Sequence, residues 1–318
     1  MNDVLAPRFP DVALARPHYE SVYLTAYHPT EQAALWIRHT IHKAPGKPPR
    51  ASVWFTYFTP DAVRAGKLTT EDVRVGTAGA VVIGSACSMG LSGATGSMNA
   101  DTIAATWDVR FHDRAEPMRH YPFDWMYSAP LPRTKSTSAA PSLRLSGSFT
   151  AAGHVVDVEG WRGTIGHNWG TQHAERWIWL RASGFGENPE AWLDVVIGKV
   201  RVGPIVTPWI ANGMLSVDGM RERVGGLGAL RSTKIVERTD GALITLGKIE
   251  VDVVAPPAHF VGWRYSDPGG HGHEVANCSI ATMTVRGASP SLLHTHCGAY
   301  EIGGAEAAID VELQPYED

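Results

Sequence analysis

The sequence contains only three cysteines among its 318 residues, Cys87, Cys278 and Cys297, and none of them forms a Cys-x-x-Cys pair. An odd number of widely spaced cysteines argues against a disulfide framework, so we expect buried free thiols in a reducing compartment. The amino-terminal residues lack a basic start followed by an apolar run, so no secretory signal is predicted. A cytoplasmic location is therefore expected.

Charge is also scarce and nearly balanced. Charged residues make up 19% of the chain, with 28 Lys and Arg against 32 Asp and Glu and a net charge of −4. Because no basic block or stripe stands out, nucleic acid is not an expected partner. No apolar run approaches the roughly 18 residues of a membrane-spanning helix, so no integral membrane segment is predicted.

Several catalytic motifs are missing as well. The Gly/Ser-rich residues 90–97 are interpreted as a loop, and they match neither the phosphate-binding pattern Gly-x-x-x-x-Gly-Lys-Ser/Thr nor Gly-x-Gly-x-x-Gly. A Gly-x-Ser-x-Gly elbow is absent too, which disfavours a serine hydrolase. We predict no cofactor.

What the chain does contain is turn residues and alternation. Amphipathic helix signal is weak, while Gly (33), Pro (21) and Trp (11) are plentiful. A period of two residues, typical of strands, recurs along the whole sequence. The predicted strands span residues 19–27, 34–42, 51–58, 106–111, 155–159, 192–202, 209–217, 234–237, 242–254, 259–265, 276–285 and 294–302. An all-β fold with antiparallel meanders is expected.

The length favours two compact units over one. The best linker signal is SGFGENP at residues 183–189, so the chain is divided there. The prediction is an amino-terminal β domain of residues 1–183 and a carboxyl-terminal β domain of residues 184–318.

Residues 160–181, GWRGTIGHNWGTQHAERWIWLR, hold four of the eleven tryptophans. Alternation over residues 176–181 places Trp177 and Trp179 on one face of a strand. That face is either the wall of a pocket or part of an aromatic core. If it is a pocket, His167, His173 and Glu175 are the candidate catalytic residues, since histidine transfers protons near neutral pH and a carboxyl in an aromatic environment is suited to donate a proton.

Three further features of the sequence allow more than one interpretation. The aromatic and ionisable residues 112–127 form either a pocket rim or a solvated loop. Asp194 lies on an alternating strand and points either inward or outward. The spaced pairs His271/His273 and His294/His296 would put two imidazoles on one strand face, as in β-sheet metal sites, although His271 and His273 lie in a glycine-rich turn. We predict no metal, with a His-ligated metalloenzyme as one alternative.

The motif His167-Asn168-Trp169-Gly170, followed by Arg-Trp-Ile-Trp at residues 176–179, resembles the hallmark region of the tocopherol cyclase and carotenoid 1,2-hydratase (hydroxyneurosporene synthase)/AttH-like superfamily. Residues 20–26, 34–40, 273–279 and 298–301 are similar too. The resemblance implies two tandem lipocalin-like antiparallel β-barrel domains with a hydrophobic ligand pocket near their junction. In the hydratase branch a carboxylate is expected near the Trp-Gly element. Here His167 precedes Asn168, and Glu175 is the nearest acid.

That superfamily includes olefin hydratases, an isoprenoid cyclase and enzymes of pericyclic reactions, so the fold does not fix the reaction. The prediction is a cofactor-independent enzyme that hydrates, isomerises or cyclises an alkene in a hydrophobic, isoprenoid-like or polycyclic small molecule. A non-catalytic carrier of lipids or hydrophobic metabolites is the alternative, and an ionisable group inside the cavity would favour the enzyme. The predicted substrate-binding residues are Trp169, Trp177, Trp179, Asn168, Arg176, Arg38, Tyr57 and Trp54.

Overall fold

A computed structural model describes residues 4–287, 292–304 and 309–316, in which nearly all regular structure is antiparallel strand. We number the strands in chain order as β1 (His18–Tyr27), β2 (Ala34–Lys43), β3 (Arg50–Phe58), β4 (Val63–Thr70), β5 (Val73–Val75), β6 (Val81–Ile83), β7 (Cys87–Gly90), β8 (Gly93–Ala100), β9 (Ile103–His112), β10 (Met118–Arg119), β11 (Thr134–Ala151), β12 (His154–Asp157), β13 (Arg162–Gly170), β14 (Arg176–Ser183), β15 (Trp192–Lys199), β16 (Arg201–Val202), β17 (Ile205–Val206), β18 (Ile210–Val217), β19 (Met220–Gly225), β20 (Thr233–Arg238), β21 (Gly241–Leu246), β22 (Ile249–Val254), β23 (Val261–Ser266), β24 (Gly272–Arg286) and β25 (Leu292–Gly304). Short 3-10 helices lie at Phe9–Asp11, Thr77–Gly79, Asp124–Tyr127, Leu227–Ser232 and Pro257–His259.

The strands form two large sheets. The first has 13 strands with the path β4-β3-β2-β1-β13-β11-β9-β8-β7-β6-β5, and β10 and β12 pair with β11. The second has ten strands with the path β19-β18-β15-β14-β25-β24-β22-β21-β20, and β23 pairs with β24. The predicted all-β, lipocalin-like barrel architecture is confirmed.

The change from one sheet to the other falls between β13 and β14, at residues 171–175. The linker signal at residues 183–189 instead joins β14 to β15 within the second sheet. A Gly/Pro-rich turn marks any tight connection, so it could not distinguish a link between sheets from a link within one. The division into two domains at residue 183 stays a prediction.

Strand β1 is buried along its whole length because both of its faces are covered. Val22 and Leu24 belong to the core of the first sheet. Tyr23 and Tyr27, on the opposite face, belong to a second core with residues of the second sheet. The alternation read from the sequence is therefore correct, and it places β1 between the two cores.

Two segments differ from their sequence interpretation. Residues 90–97 are not simply a loop, because β7 and β8 pair across a turn at Leu91 and Ser92. Gly96 is needed in β8, since a Cβ there would lie 2.3 Å from the ring of Trp107. Residues 134–151, rich in Ser and Thr, form the long strand β11, where hydroxyls such as that of Ser138 bond to neighbouring backbone.

The predicted strand at residues 242–254 is a hairpin of β21 and β22, with Gly247 at the turn. Gly247 has a φ of +69°, which a glycine adopts without strain. The residues that the structure describes include no helix long and apolar enough to cross a membrane.

Candidate functional site

A cavity of about 460 Å³ lies between the two sheets. Strands β1, β2, β11 and β13 line it from the first sheet, and β14, β15, β18, β23 and β25 from the second, with the loop before β11 at its edge. The volume is in the range of pockets that bury a small organic ligand. Its aromatic lining comes from Tyr19, Tyr23, Trp36, Tyr121, Phe123, Trp125, Trp177, Trp179 and Tyr265.

His173 lies in this aromatic wall, on the connection between the two sheets. Its ring stacks on Tyr19 with centroids 4.3 Å apart and on Trp177 at 5.4 Å. Its Nδ1 lies 2.7 Å from Oδ1 of Asp267, and its backbone N–H donates to the same oxygen at 2.8 Å. The carboxylate therefore fixes both the position of the backbone and the orientation of the ring.

The second carboxylate oxygen of Asp267 lies 3.0 Å from Nε2 of His273. Burial raises the pKa of Asp267, but the hydrogen bonds from His173 and His273 outweigh it and hold that pKa far below its ordinary value. Since the ionised carboxylate only accepts hydrogen bonds, His173 must donate from Nδ1. Burial lowers the pKa of His173, against the opposing effect of Asp267, so the neutral ring presents an unprotonated Nε2.

The ligand atoms of His173, Asp267 and His273 lie within 4.8 Å of one another, which is close enough to hold a metal ion. However, both oxygens of Asp267 are already hydrogen-bonded to the two imidazoles. We therefore interpret the three residues as a His–Asp–His hydrogen-bond chain.

The two histidine pairs singled out in the sequence do not meet. His273 pairs with Tyr265 at one end of β24, while His294 pairs with Thr284 near the other end. Residues 273 and 284 are thus separated along the strand by roughly 36 Å at 3.3 Å per residue. The four histidines therefore do not surround a single ion.

A second buried carboxylate, Glu301, faces the cavity from β25. It accepts hydrogen bonds from Nε1 of Trp177 at 2.8 Å, from the hydroxyl of Tyr265 at 3.0 Å and from Nδ2 of Asn277 at 3.0 Å. Three donors thus bond to its two oxygens. The bond from Trp177 holds the indole ring against the cavity.

Asn168 lines the cavity from β13. Its Oδ1 accepts from the hydroxyls of Ser136 at 2.9 Å and Tyr23 at 3.4 Å. Burial raises the pKa of Tyr23 to about 12, so this hydroxyl stays protonated and donates. With its oxygen occupied, the Nδ2 group of Asn168 is the part that a ligand would meet.

Six of the predicted site residues lie in the cavity lining, namely His173, Glu175, Asn168, Trp177, Trp179 and Arg38. Five others lie outside it, namely His167, Trp169, Arg176, Tyr57 and Trp54.

His167 and Trp169 lie outside because they flank Asn168 on β13, and neighbouring residues of a strand point to opposite faces. His167 is fully buried, with Nε2 2.8 Å from Glu20 and Nδ1 2.9 Å from the carbonyl of Val4. Burial raises the pKa of Glu20, but hydrogen bonds from His167, His18 and the backbone outweigh this and lower it to about 2. His167 thus fastens the amino-terminal segment to β13.

Glu175 lies at the cavity edge, where 30% of its side chain is exposed. Its Oε1 is 2.7 Å from Nε of Arg201, and this hydrogen bond lowers the pKa of Glu175. The environment of Glu175 is therefore not the one expected of a proton donor, because its carboxyl has an arginine partner and access to water instead of an aromatic enclosure.

The remaining predicted ligand contacts have other partners. Arg176 forms an ion pair with Glu237 at 2.6 Å. Tyr57 packs edge-on against Phe149 of the first core. Trp54 lies behind the cavity wall, 4.9 Å from Trp263 between ring centroids.

Sequence reasoning missed several residues of the site. Glu301 lies within the Gly-Ala-Tyr-Glu segment that carries part of the family resemblance, which was its available signal. Asp267 is the first residue of the turn sequence DPGG, and an aspartate is so common in such turns that it gave no sign of a role in the site. In the segment 112–127, Tyr121, Phe123 and Trp125 line the cavity, as the pocket-rim interpretation predicts.

Asp194 points inward. Its Oδ2 lies 2.6 Å from Arg181 and its Oδ1 lies 3.0 Å from Nε2 of His120, and all three side chains are fully buried. Arg181 also donates to Thr164 of β13 at 2.6 Å. This network joins the two sheets, and Trp179 stands between it and the cavity, with its indole N–H 3.4 Å from Asp194.

The fold and the cavity define an all-β, lipocalin-like protein with an enclosed aromatic pocket. The chain aligns over its length with solved structures of this class. The AttH-like protein of Nitrosomonas europaea has a TM-score of 0.59 at 13% identity, covering 94% of this chain and 97% of that one. CghA, solved with Sch210972, has a TM-score of 0.57 at 13% identity over 92% and 89% of the two chains.

Kievitone hydratase from Nectria haematococca has a TM-score of 0.58 at 11% identity, covering 91% of this chain and 89% of that one. These similarities confirm the resemblance to the AttH-like superfamily at the level of the fold. By sequence, two uncharacterized proteins of Mycobacterium tuberculosis strains are 26% identical over 262 residues, which is 78% of this chain and 74% of each relative. No family model matches the chain.

Proposed function

We propose that the protein is an enzyme that binds a hydrophobic small molecule in the cavity and hydrates, isomerises or cyclises an alkene in it by acid/base catalysis. The observation that carries this proposal is His173, a side chain able to transfer a proton, in the aromatic part of the cavity wall. A carrier needs the aromatic wall but no proton-transferring group, so the position of His173 favours an enzyme. Kievitone hydratase has a similar fold, and its name supports the same class of reaction for this protein.

In this proposal, His173 acts first as a base. The neutral ring takes a proton at Nε2, and the resulting imidazolium is stabilised by Asp267 at Nδ1. In a hydration, the alkene is conjugated to a carbonyl group of the substrate: a water proton passes to Nε2 while the water oxygen bonds to the far alkene carbon, the π electrons move onto the carbonyl oxygen as an enolate, and the proton then returns from Nε2 to the carbon next to the carbonyl. In an isomerisation, a proton leaves one carbon of the substrate and returns to another. Neither route consumes a redox partner, so we propose that the enzyme is cofactor-independent.

The aromatic wall supplies the binding surface. The rings of Trp177 and Trp179 line the cavity and offer large apolar faces against which the body of the substrate can pack. We assign Trp177 and Trp179 to substrate binding, together with Asn168, whose amide N–H group is directed to the ligand. An isoprenoid-like or polycyclic body is the substrate class that suits this lining.

The other predicted residues take supporting roles. We assign His167 to positioning, because it bonds Glu20 and the backbone of Val4 and does not line the cavity. Glu175 and its ion pair with Arg201 form part of the edge of the cavity.

The proposal is tested by incubating the purified protein with a cell extract, repurifying it and identifying retained compounds by mass spectrometry. An enzyme is expected to retain one compound and to convert it on standing to an isomer, a hydrate or a cyclised product. The His173→Asn variant should retain the compound unchanged, whereas the matched control His154→Asn, on the exposed strand β12, should convert it. A mixture of unaltered lipids bound to the wild-type protein would instead establish a carrier.

A further inference from the structure

The described structure contains three buried arginines, and they differ in their partners. Arg181 is paired with Asp194 at 2.6 Å, and Arg162 with Glu190 at 2.6 Å. For Arg38, the described residues provide no carboxylate within 4.0 Å, and the guanidinium donates from Nε to the hydroxyl of Ser21 at 2.7 Å. Of these three arginines, Arg38 is thus the one whose guanidinium has no carboxylate partner among the described residues.

Arg38 is also the buried arginine that lines the cavity. It is 7% exposed, and its guanidinium carbon lies 4.2 Å from the ring centroid of Tyr265 and 5.5 Å from that of Trp54. Those rings stabilise a cation through their faces but accept no conventional hydrogen bond. The terminal N–H groups of the guanidinium therefore still need acceptors.

The carboxylates of the cavity region are engaged elsewhere. Glu301 accepts from Trp177, Tyr265 and Asn277. Asp267 accepts from both His173 and His273. Their oxygens are thus already bonded to other donors.

An arginine stays protonated in proteins, and a buried charge is unfavourable unless it is paired and hydrogen-bonded. We infer that the cavity binds a ligand with an acidic head, either a carboxylate or an acidic enol, whose oxygens accept from the terminal N–H groups of Arg38. Two oxygens on one acidic group match the fork of the guanidinium. This inference rests on the proposed function, since it specifies the substrate class of the same cavity.

The exposed part of the cavity lining indicates where the apolar body would lie. Phe123 and Trp125 are 52% and 62% exposed, their rings are stacked 6.2 Å apart, and both line the cavity. Leu227, 67% exposed, lines it from the second sheet's side. An amphipathic ligand would place its acidic head at Arg38 and its apolar body along Trp177 and Trp179 toward these residues.

The test compares acids with alcohols of the same skeleton. The acids are all-trans-retinoic acid, palmitic acid and abietic acid, and the corresponding alcohols are retinol, hexadecanol and abietinol. Binding of each compound is measured by the quenching of tryptophan fluorescence, or by displacement of a compound that quenches it. For the skeletons that bind, the wild-type protein should prefer the acid by about ten- to a hundredfold, as expected for a charge-assisted hydrogen bond. Arg38→Met should abolish this preference, and Arg38→Lys, which keeps the charge but loses the fork, should retain part of it.

Arg176→Met is the matched control, because Arg176 pairs with Glu237 outside the cavity lining, and it should leave the preference unchanged. Circular dichroism and the melting temperature establish that each variant is folded. Equal binding of acid and alcohol by the wild type, unchanged in Arg38→Met, would overturn the acidic head but leave the proposed function standing. Failure of every acid and alcohol to bind would count against both.

Discussion

Nδ1 of His173 and Oδ1 of Asp267 lie 2.7 Å apart, and the same oxygen accepts the backbone N–H of His173 at 2.8 Å. One carboxylate thus fixes the ring, its tautomer and the connection between the two sheets on which it lies. The consequence is a neutral imidazole whose Nε2 is free to take a proton.

Replacing Asp267 with Asn should lower the turnover of the bound compound by about a hundredfold or more, because an amide can donate to Nδ1 and move the imidazole proton to Nε2. Ligand affinity should change little, since Asp267 does not line the cavity. The rate of product formation and the dissociation constant of the same compound measure the two effects. Asp240→Asn, which alters an exposed carboxylate near Arg238, is the control and should have wild-type turnover.

Activity should depend on pH through His173. Burial lowers its pKa below the ordinary 6.5, so kcat/KM should be constant above pH 6.5 and fall at lower pH as Nε2 becomes protonated. In Asp267→Asn, the residual activity should fall at a lower pH than in the wild type. The reason is that Asp267 raises the pKa of His173 against the effect of burial, and the variant loses this contribution. A rate that rises on acidification would show instead that the protonated ring is the active form.

Stability should depend on pH through His39, which is fully buried in the first core and whose pKa burial lowers to about 4. As pH falls below 6.5, the unfolded chain binds a proton at this position before the folded chain does, so stability is lost between pH 6.5 and 4. The loss attributable to His39 is at most about 3.5 kcal/mol, at about 1.4 kcal/mol per pKa unit.

Urea unfolding between pH 7 and 4 measures this loss. The His39→Leu variant should show a flatter profile that keeps the contribution of His173, while the exposed control His154→Leu should follow the wild type. Loss of stability confined to pH values below 4 would assign acid sensitivity to carboxylates such as Glu20, whose pKa is about 2.

Asp194→Asn should lower the free energy of unfolding by roughly 3–5 kcal/mol, because it leaves the buried Arg181 without its ion pair. The double variant Arg181→Met/Asp194→Leu should recover most of this loss, since no uncompensated charge remains. Chemical denaturation gives both values, and Asp240→Asn serves again as the exposed control. If the single and double variants are equally unstable, shape and not charge accounts for the effect.

The sequence predicted the architecture well because strand alternation is a local property. Alternation predicted the strand at residues 19–27, and in β1 the neighbours Val22 and Tyr23 do lie in different cores. Strand β11 was missed because its Ser/Thr-rich sequence satisfies hydrogen bonds across the sheet and carries little apolar alternation.

The candidate site was predicted in part, for a similar reason. Trp177, Trp179 and Asn168 could be found because alternation and the family motif both mark the strands that carry them. Asp267 and Glu301 could not, since each reaches the site only through the pairing of strands distant in sequence. The partner of a charge is equally non-local: the sequence marks Glu175 as a candidate proton donor but does not show that Arg201 lies beside it.

The most direct test of the account is the conversion of the co-purified compound in D₂O by the wild-type protein and by His173→Asn. If His173 transfers the proton, the wild-type product should carry non-exchangeable deuterium on carbon, and the variant should bind the compound but form the labelled product at least about a hundredfold more slowly. A variant that forms the same labelled product at the wild-type rate would contradict a catalytic role for His173.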